Sequence, residues 1–204
     1  FHTTNHDDIL FQTTGRSTGL FANVDKTLRK GFEGSISGEI QRFNWMLSYS
    51  NINASFEDSF NALSPNHDFA DDDDEIQVRS GDKIPGIPEH QFKFLGNYEL
   101  TDGLHVGFDV ARNSSQFLRG DESNQMGEID GYTVANLRLR YAVSENLEIF
   151  ATVQNLFDRE FETFGLLGEE PNELEVPIIE DLEIPIFLGS APPRAGYIGL
   201  SYSF

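Results

Sequence analysis

Arg138 and Arg140 stand two residues apart, with Tyr132 and Asn136 ahead of them, in "GYTVANLRLRYAV" at residues 131–143. At that spacing two guanidinium groups share one face of an extended strand, where each can grip a carboxylate or phosphate through paired N–H donors. On one row with Tyr132 and Asn136 they could attract an anionic solute, or pair with carboxylates such as Glu148 of the next segment. The run "DDDDE", Asp71 to Glu75, offers the hard oxygen ligands that Ca²⁺ prefers. It lacks the glycine and ligand spacing of a calcium loop and reads as a solvated acidic loop. His2, His6, His67, His90 and His105 show no metal-ligand spacing and read as surface or rim side chains, so neither a metal site nor a cofactor is expected. "RGD", Arg119 to Asp121, reads as a chance tripeptide in a polar loop. No Ser-His-Asp set, pair of catalytic carboxylates or phosphate-cradling glycine loop stands out, so the chain does not read as an enzyme.

The 204 residues carry 34 Asp plus Glu against 14 Lys plus Arg, a formal charge of −20. That balance excludes nucleic acid as a partner reached through phosphate neutralisation. There is no cysteine, hence no disulfide or thiolate metal site. No run of about 18 apolar residues is present to form a membrane-spanning helix.

What would hold the arginine row is a strand of period two. Thr133, Ala135, Leu137, Leu139, Tyr141 and Val143 fall on one face of residues 131–143, with Asn136, Arg138 and Arg140 on the other. The next segment sets Leu147, Ile149, Ala151 and Val153 against Glu148, Thr152 and Gln154. "HQFKFLGNYEL" and "LHVGFDVARN" repeat the pattern, and three segments before them plus "PRAGYIGLSYSF" at the end bring the count to eight antiparallel strands. Tight turns at "TDG", at "SEN" and near Gln41 alternate with long links at residues 57–89, 118–130 and 160–192. Short turns at one end and long loops at the other are the plan of an outer-membrane barrel. The link at 160–192 holds "EEPNELEVPIIEDLEIP", which reads as a lid over a barrel mouth or as a flexible loop. In "YIGLSYSF" Ile198, Leu200, Tyr202 and Phe204 share one face, as expected of a lipid-facing last strand.

"NVDKTLRKGFEGSISG" at residues 23–38 resembles the N-x-x-K-T-x-R-x-G-x-E segment of TonB-dependent outer-membrane receptors. Residues 131–165 followed by "PRAGYIGLSYSF" are similar to the last three strands of those receptors, including Asn155-Leu156-Phe157-Asp158. The resemblance implies an all-β antiparallel transmembrane barrel of about 22 strands. Residues 1–204 resemble its C-terminal eight strands; nothing in them matches the plug domain or the segment that TonB grips. It further implies the outer membrane of a Gram-negative bacterium, contact with outer-membrane lipid, and the barrel-assembly machinery reading Tyr202 and Phe204. TonB is then reached only through the plug, and the transported solute is scarce, such as a ferric siderophore. The residues expected to face that ligand are Tyr132, Asn136, Arg138 and Arg140. Two other readings fit the alternation: a complete eight-stranded outer-membrane barrel with a passive role, whose first strand pairs with its last, and a soluble lipocalin-like binding barrel.

Overall fold

A chain that alternates apolar and polar side chains presents two unlike faces, and its backbone N–H and C=O groups must pair sideways. The computed structural model describes residues 1–14, 18–168 and 186–204. In chain order, β1 (His2–Thr14), β2 (Thr18–Ile40) and β3 (Phe43–Phe56) precede a small hairpin of β4 (Phe60–Leu63) and β5 (Glu75–Val78). Then come β6 (His90–Thr101), β7 (Leu104–Asn113) and a second hairpin of β8 (Gln116–Phe117) and β9 (Glu128–Ile129). Next are β10 (Tyr132–Ala142), β11 (Leu147–Gln154), a third hairpin of β12 (Glu162–Leu167) and β13 (Ile186–Ser190), and finally β14 (Ala195–Tyr202). The long strands form one eight-stranded antiparallel sheet in the order β1-β2-β3-β6-β7-β10-β11-β14. No helix occurs among the described residues.

The register carries one set of side chains across every strand. Leu137 stands opposite Phe108, and Leu139 opposite Val106; Ile149 stands opposite Leu200, and Ala151 opposite Ile198. Ile198, Leu200 and Ile36 are 80%, 71% and 60% exposed, an area that a face in water would not leave bare. The other face is polar: Asn136 opposite Asp109, Arg138 opposite Gly107, Asn44 opposite Asn97. Met46 opposite Leu95 is an apolar island on it.

The tight turns after β2, β6 and β10 lie at one end. Gln41 takes a left-handed φ of 55° in the two-residue turn between β2 and β3. Gly103, at φ 87°, does the same between β6 and β7, where a residue with a Cβ would be strained. Arg42 and Asp102 join these neighbouring turns at 3.1 Å. At the other end the long links carry the three extra hairpins. The buried core lies there too: Val24, Phe56, Ala62, Ile76 and Val78 cluster under the first hairpin, and Leu118, Ile129 and Leu167 under the others. β1 and β14 are the two ends of the strand order, each paired to a single neighbour. The closed eight-stranded barrel, which needs β1 beside β14, is therefore not what forms.

Candidate functional site

The arginine row is held by partners on the strands beside it. Arg140 lies against Glu148 through two bonds of 2.8 and 3.3 Å, the cross-strand pair that its place opposite β11 allows. Arg138 meets Asp109 at 3.3 Å, and Asn136 Nδ2 donates to the same carboxylate at 2.7 Å. Asn136 Oδ1 accepts the backbone N–H of Asn155 at 2.9 Å. The Tyr132 hydroxyl accepts from Asn113 at 2.6 Å, and its ring stacks on Phe161 with centroids 4.3 Å apart. The four residues thus form a pre-ordered polar strip that runs along β10 toward the loops.

Two brackets fix the sheet where it meets the loops. Asp8 follows Asp7, whose φ of 53° breaks the alternation of β1. Its carboxylate comes within 2.6 Å of Thr27 Oγ1 and 2.8 Å of Arg29 Nη1, two residues of the "KTLR" motif. Asn155, 4% exposed and left-handed at φ 48°, ends β11. Its amide donates to the carbonyls of Arg159 and Pro192 and its Oδ1 accepts the Arg159 N–H, which ties the exit of β11 to the approach of β14. Asp158, also left-handed, accepts the backbone N–H of Arg194 at 2.8 Å. The Asn-Leu-Phe-Asp break is thus a fastener rather than a loose end.

The loops are joined by a buried polar knot. Asp121 and His67 have fully buried side chains and meet at 2.9 Å. His67 Nδ1 accepts the Phe69 N–H, so Nε2 carries the hydrogen that points at Asp121. The Asp121 oxygens also accept the backbone N–H groups of Gln125 and Met126 at 2.8 and 2.9 Å. Ser123 Oγ lies 3.2 Å from Asp121 and 3.3 Å from His67 Nε2. Serine and aspartate share one ring nitrogen, so the imidazole cannot stand between a nucleophile and its orienting acid. The knot fastens loop to loop. It corrects the surface reading of His67, and it buries the aspartate of "RGD", so that tripeptide is not displayed.

Glu122, 6% exposed, borders a cavity of about 400 Å³ between the β1–β2 hairpin and the loops. Phe11, Phe21, Pro85, Phe164 and Leu166 give it apolar walls, and Arg29 and Arg119 reach its edge. Burial pushes the Glu122 carboxyl up to about 7; the Gly120 N–H opposes this, and the Asp121 charge reinforces it. A folded-state value above the ordinary 4.5 means that the folded loop binds the proton more tightly. Loop stability therefore rises as pH falls from about 7 toward 4.5, by on the order of 3 kcal/mol, and is lost as pH climbs through 7. Hydrogen exchange at residues 118–127 is expected to slow over that range. Glu122→Gln should abolish the dependence.

Residues 1–156 match the family model "TonB dependent receptor-like, beta-barrel". The chain belongs to the TonB-dependent receptor family. The chain is 31% identical over 86 residues to the metal-pseudopaline receptor CntO of Pseudomonas aeruginosa, covering 41% of this chain and 12% of that protein. It is 27% identical over 157 residues to the catecholate siderophore receptor Fiu of Escherichia coli K12, covering 76% of this chain and 19% of Fiu. The crystal structure of the ferric yersiniabactin uptake receptor FyuA from Yersinia pestis superimposes with a TM-score of 0.68 at 18% identity, over 100% of this chain and 26% of FyuA. The chain therefore spans less than a third of each of these proteins, and its sheet has the fold of part of a larger TonB-dependent barrel. Members of the family are outer-membrane proteins of Gram-negative bacteria. In a TonB-dependent barrel the apolar face is the lipid side, the polar face the lumen, and the long loops the extracellular end.

The spacing of Arg138, Arg140 and Glu148 makes their row visible in the sequence. The knot is not visible: His67 and Asp121 lie 54 positions apart and share no motif. The only local sign is a glycine and a left-handed Asn124 on either side of Asp121, which mark a tightly folded loop. The proposed lid at residues 169–185 lies outside the described residues.

Proposed function

We propose that this chain is the C-terminal eight-stranded segment of a TonB-dependent receptor that imports a scarce solute, a ferric siderophore or another metal chelate. The observation that carries the reading is the family match together with a sheet split into a bare apolar face and an ion-paired polar one, with structured loops at a single end. The relatives named above are receptors for metal-bearing ligands. Binding and gating, not bond making, is then the chemistry, and TonB acts through a plug supplied by other parts of the protein. The free edges of β1 and β14 are completed by further strands, because hydrocarbon does not tolerate unpaired backbone groups.

Within that reading the solute first meets the loops and the apolar cavity beside Arg119. Tyr132, Asn136, Arg138 and Arg140 then line its way or face the plug. Deleting the gene in the source cell should abolish uptake of one radiolabelled ferric siderophore or metal chelate, and restoring it should return that uptake. Unchanged uptake across the whole panel under metal starvation would remove the transport reading.

Tyr202 and Phe204 serve as the signal for barrel assembly in the same proposal. Phe204 is fully exposed, and its ring meets Tyr202 edge-on at 5.5 Å. Truncating Phe204 to Ala is expected to lower the folded, heat-modifiable protein in the outer membrane sharply while leaving synthesis intact. A normal yield of folded barrel would strip the two residues of that role.

A further inference from the structure

We propose that the two halves of this lumen wall do different work. The polar face of β2, β3 and β6 seats the plug, and that of β7, β10 and β11 is left to water and the descending solute. The inference rests on the uptake reading above and adds the side on which the path opens. Charge separates the halves. Between Gly31 and the tight turns, the charged side chains on the polar face of β2, β3 and β6 are Glu33, Glu39, Lys93 and Glu99. None of them makes an ion pair among the described residues. On the other half the acids are already matched, Asp109 by Arg138 and Asn136, and Glu148 by Arg140.

Apolar surface separates them as well. Met46 and Leu95 stand opposite each other and are 41% and 38% exposed on a side that otherwise suits water. The side chains around them are short, Ser35, Ser37, Ser48 and Ser50, so a partner can come close to the backbone. On the other half the ring of Phe150 lies over Gly199, where an added Cβ would stand 2.4 Å from it, and Tyr197 carries a hydroxyl. A folded partner that brings cations to Glu33 and Glu39, a carboxylate to Lys93 and an apolar side chain to Met46 and Leu95 gains at each contact. Docked on the other half, it would strip water from ion pairs that gain nothing in return. The chain spans less than a third of the relatives it matches, and in the uptake reading the plug is what the rest of the protein places in the lumen.

Ser48→Cys and Thr152→Cys report on the two halves at one depth. The row through Thr152 passes Arg138, Gly107 and Asn97 to Asn44, on the strand that carries Ser48. Its inter-strand steps of about 4.8 Å at a tilt of about 40° change height by about 12 Å, and the climb from Asn44 to Ser48 is about 10 Å. Each thiol has a cation opposite, Lys93 or Arg138, which evens out its reactivity. The whole receptor, purified in mild detergent and free of other cysteines, is treated with a water-soluble maleimide. Thr152→Cys should be labelled in the folded protein, whereas labelling of Ser48→Cys should be lost until the protein is unfolded. Equal labelling, or the reverse order, overturns the proposal. Ser35→Cys and Gln154→Cys repeat the comparison should either variant fail to fold. In cells, Thr152→Trp should abolish solute uptake at an unchanged yield of folded barrel; full uptake would overturn the path along β10 and β11. Labelling needs no transported solute, so failure of the uptake reading and failure of this division show separately.

Discussion

Asp121→Ala is expected to release the loops while leaving the sheet folded. Its two oxygens take a His67 ring N–H, two backbone N–H groups and the Ser123 hydroxyl in a site without water access. Removing the carboxylate strands those donors. Each buried donor left unmatched costs about 1–3 kcal/mol. The loss falls on residues 64–71 and 118–127, because the sheet ladders do not run through the knot. Protease should cut the loops, and their amides should exchange orders of magnitude faster, with the heat-modified mobility of the barrel unchanged. Exchange as slow as in the wild type would mean that the small apolar cluster of Leu118, Ile129 and Leu167 holds the loops without the knot. Should solute uptake fall in the same variant, the ordered loops take part in capture.

The eight strands could be read because lipid on one side and water on the other impose a strict period of two, over stretches as long as the 23 residues of β2. Arg140 and Glu148 could be paired for the same reason, since a tight turn places one directly across from the other's neighbour. The loop hairpins obey a different rule. β8 and β9 are two residues each and β4 and β5 four, too short for a period to show. Their cohesion comes from contacts between loops far apart in sequence, as when Ser64 bonds to Gly120. Asn155 lies between these cases: the sequence marks where β11 stops, and only the structure shows the amide binding Arg159 and Pro192.

Gly31→Ala should damage the barrel itself. Gly31 is the glycine of "KTLRKG", and its reason is spatial. A Cβ there would stand 2.0 Å from the Asn51 carbonyl oxygen and 2.9 Å from the Phe1 ring. The Phe1 ring can move, but the carbonyl belongs to β3, and Gly31 is held on both sides. Its N–H donates to Phe1 O at 3.1 Å, and it stands opposite Ile52 in the β2–β3 ladder. Relief must come from spreading β2 and β3, which costs about 1–3 kcal/mol in overpacking and about 1 kcal/mol for each ladder bond lost. The folded barrel should melt at lower temperature and assemble in lower yield. Gly196→Ala is the control, as nothing lies within 4 Å of the added carbon there and its backbone is unstrained. Equal melting of the two variants would show that β2 and β3 can part without loss and that the glycine serves no packing role. A drop confined to Gly31 places the cause in the close approach of two strands, the use for which a strand interior admits glycine.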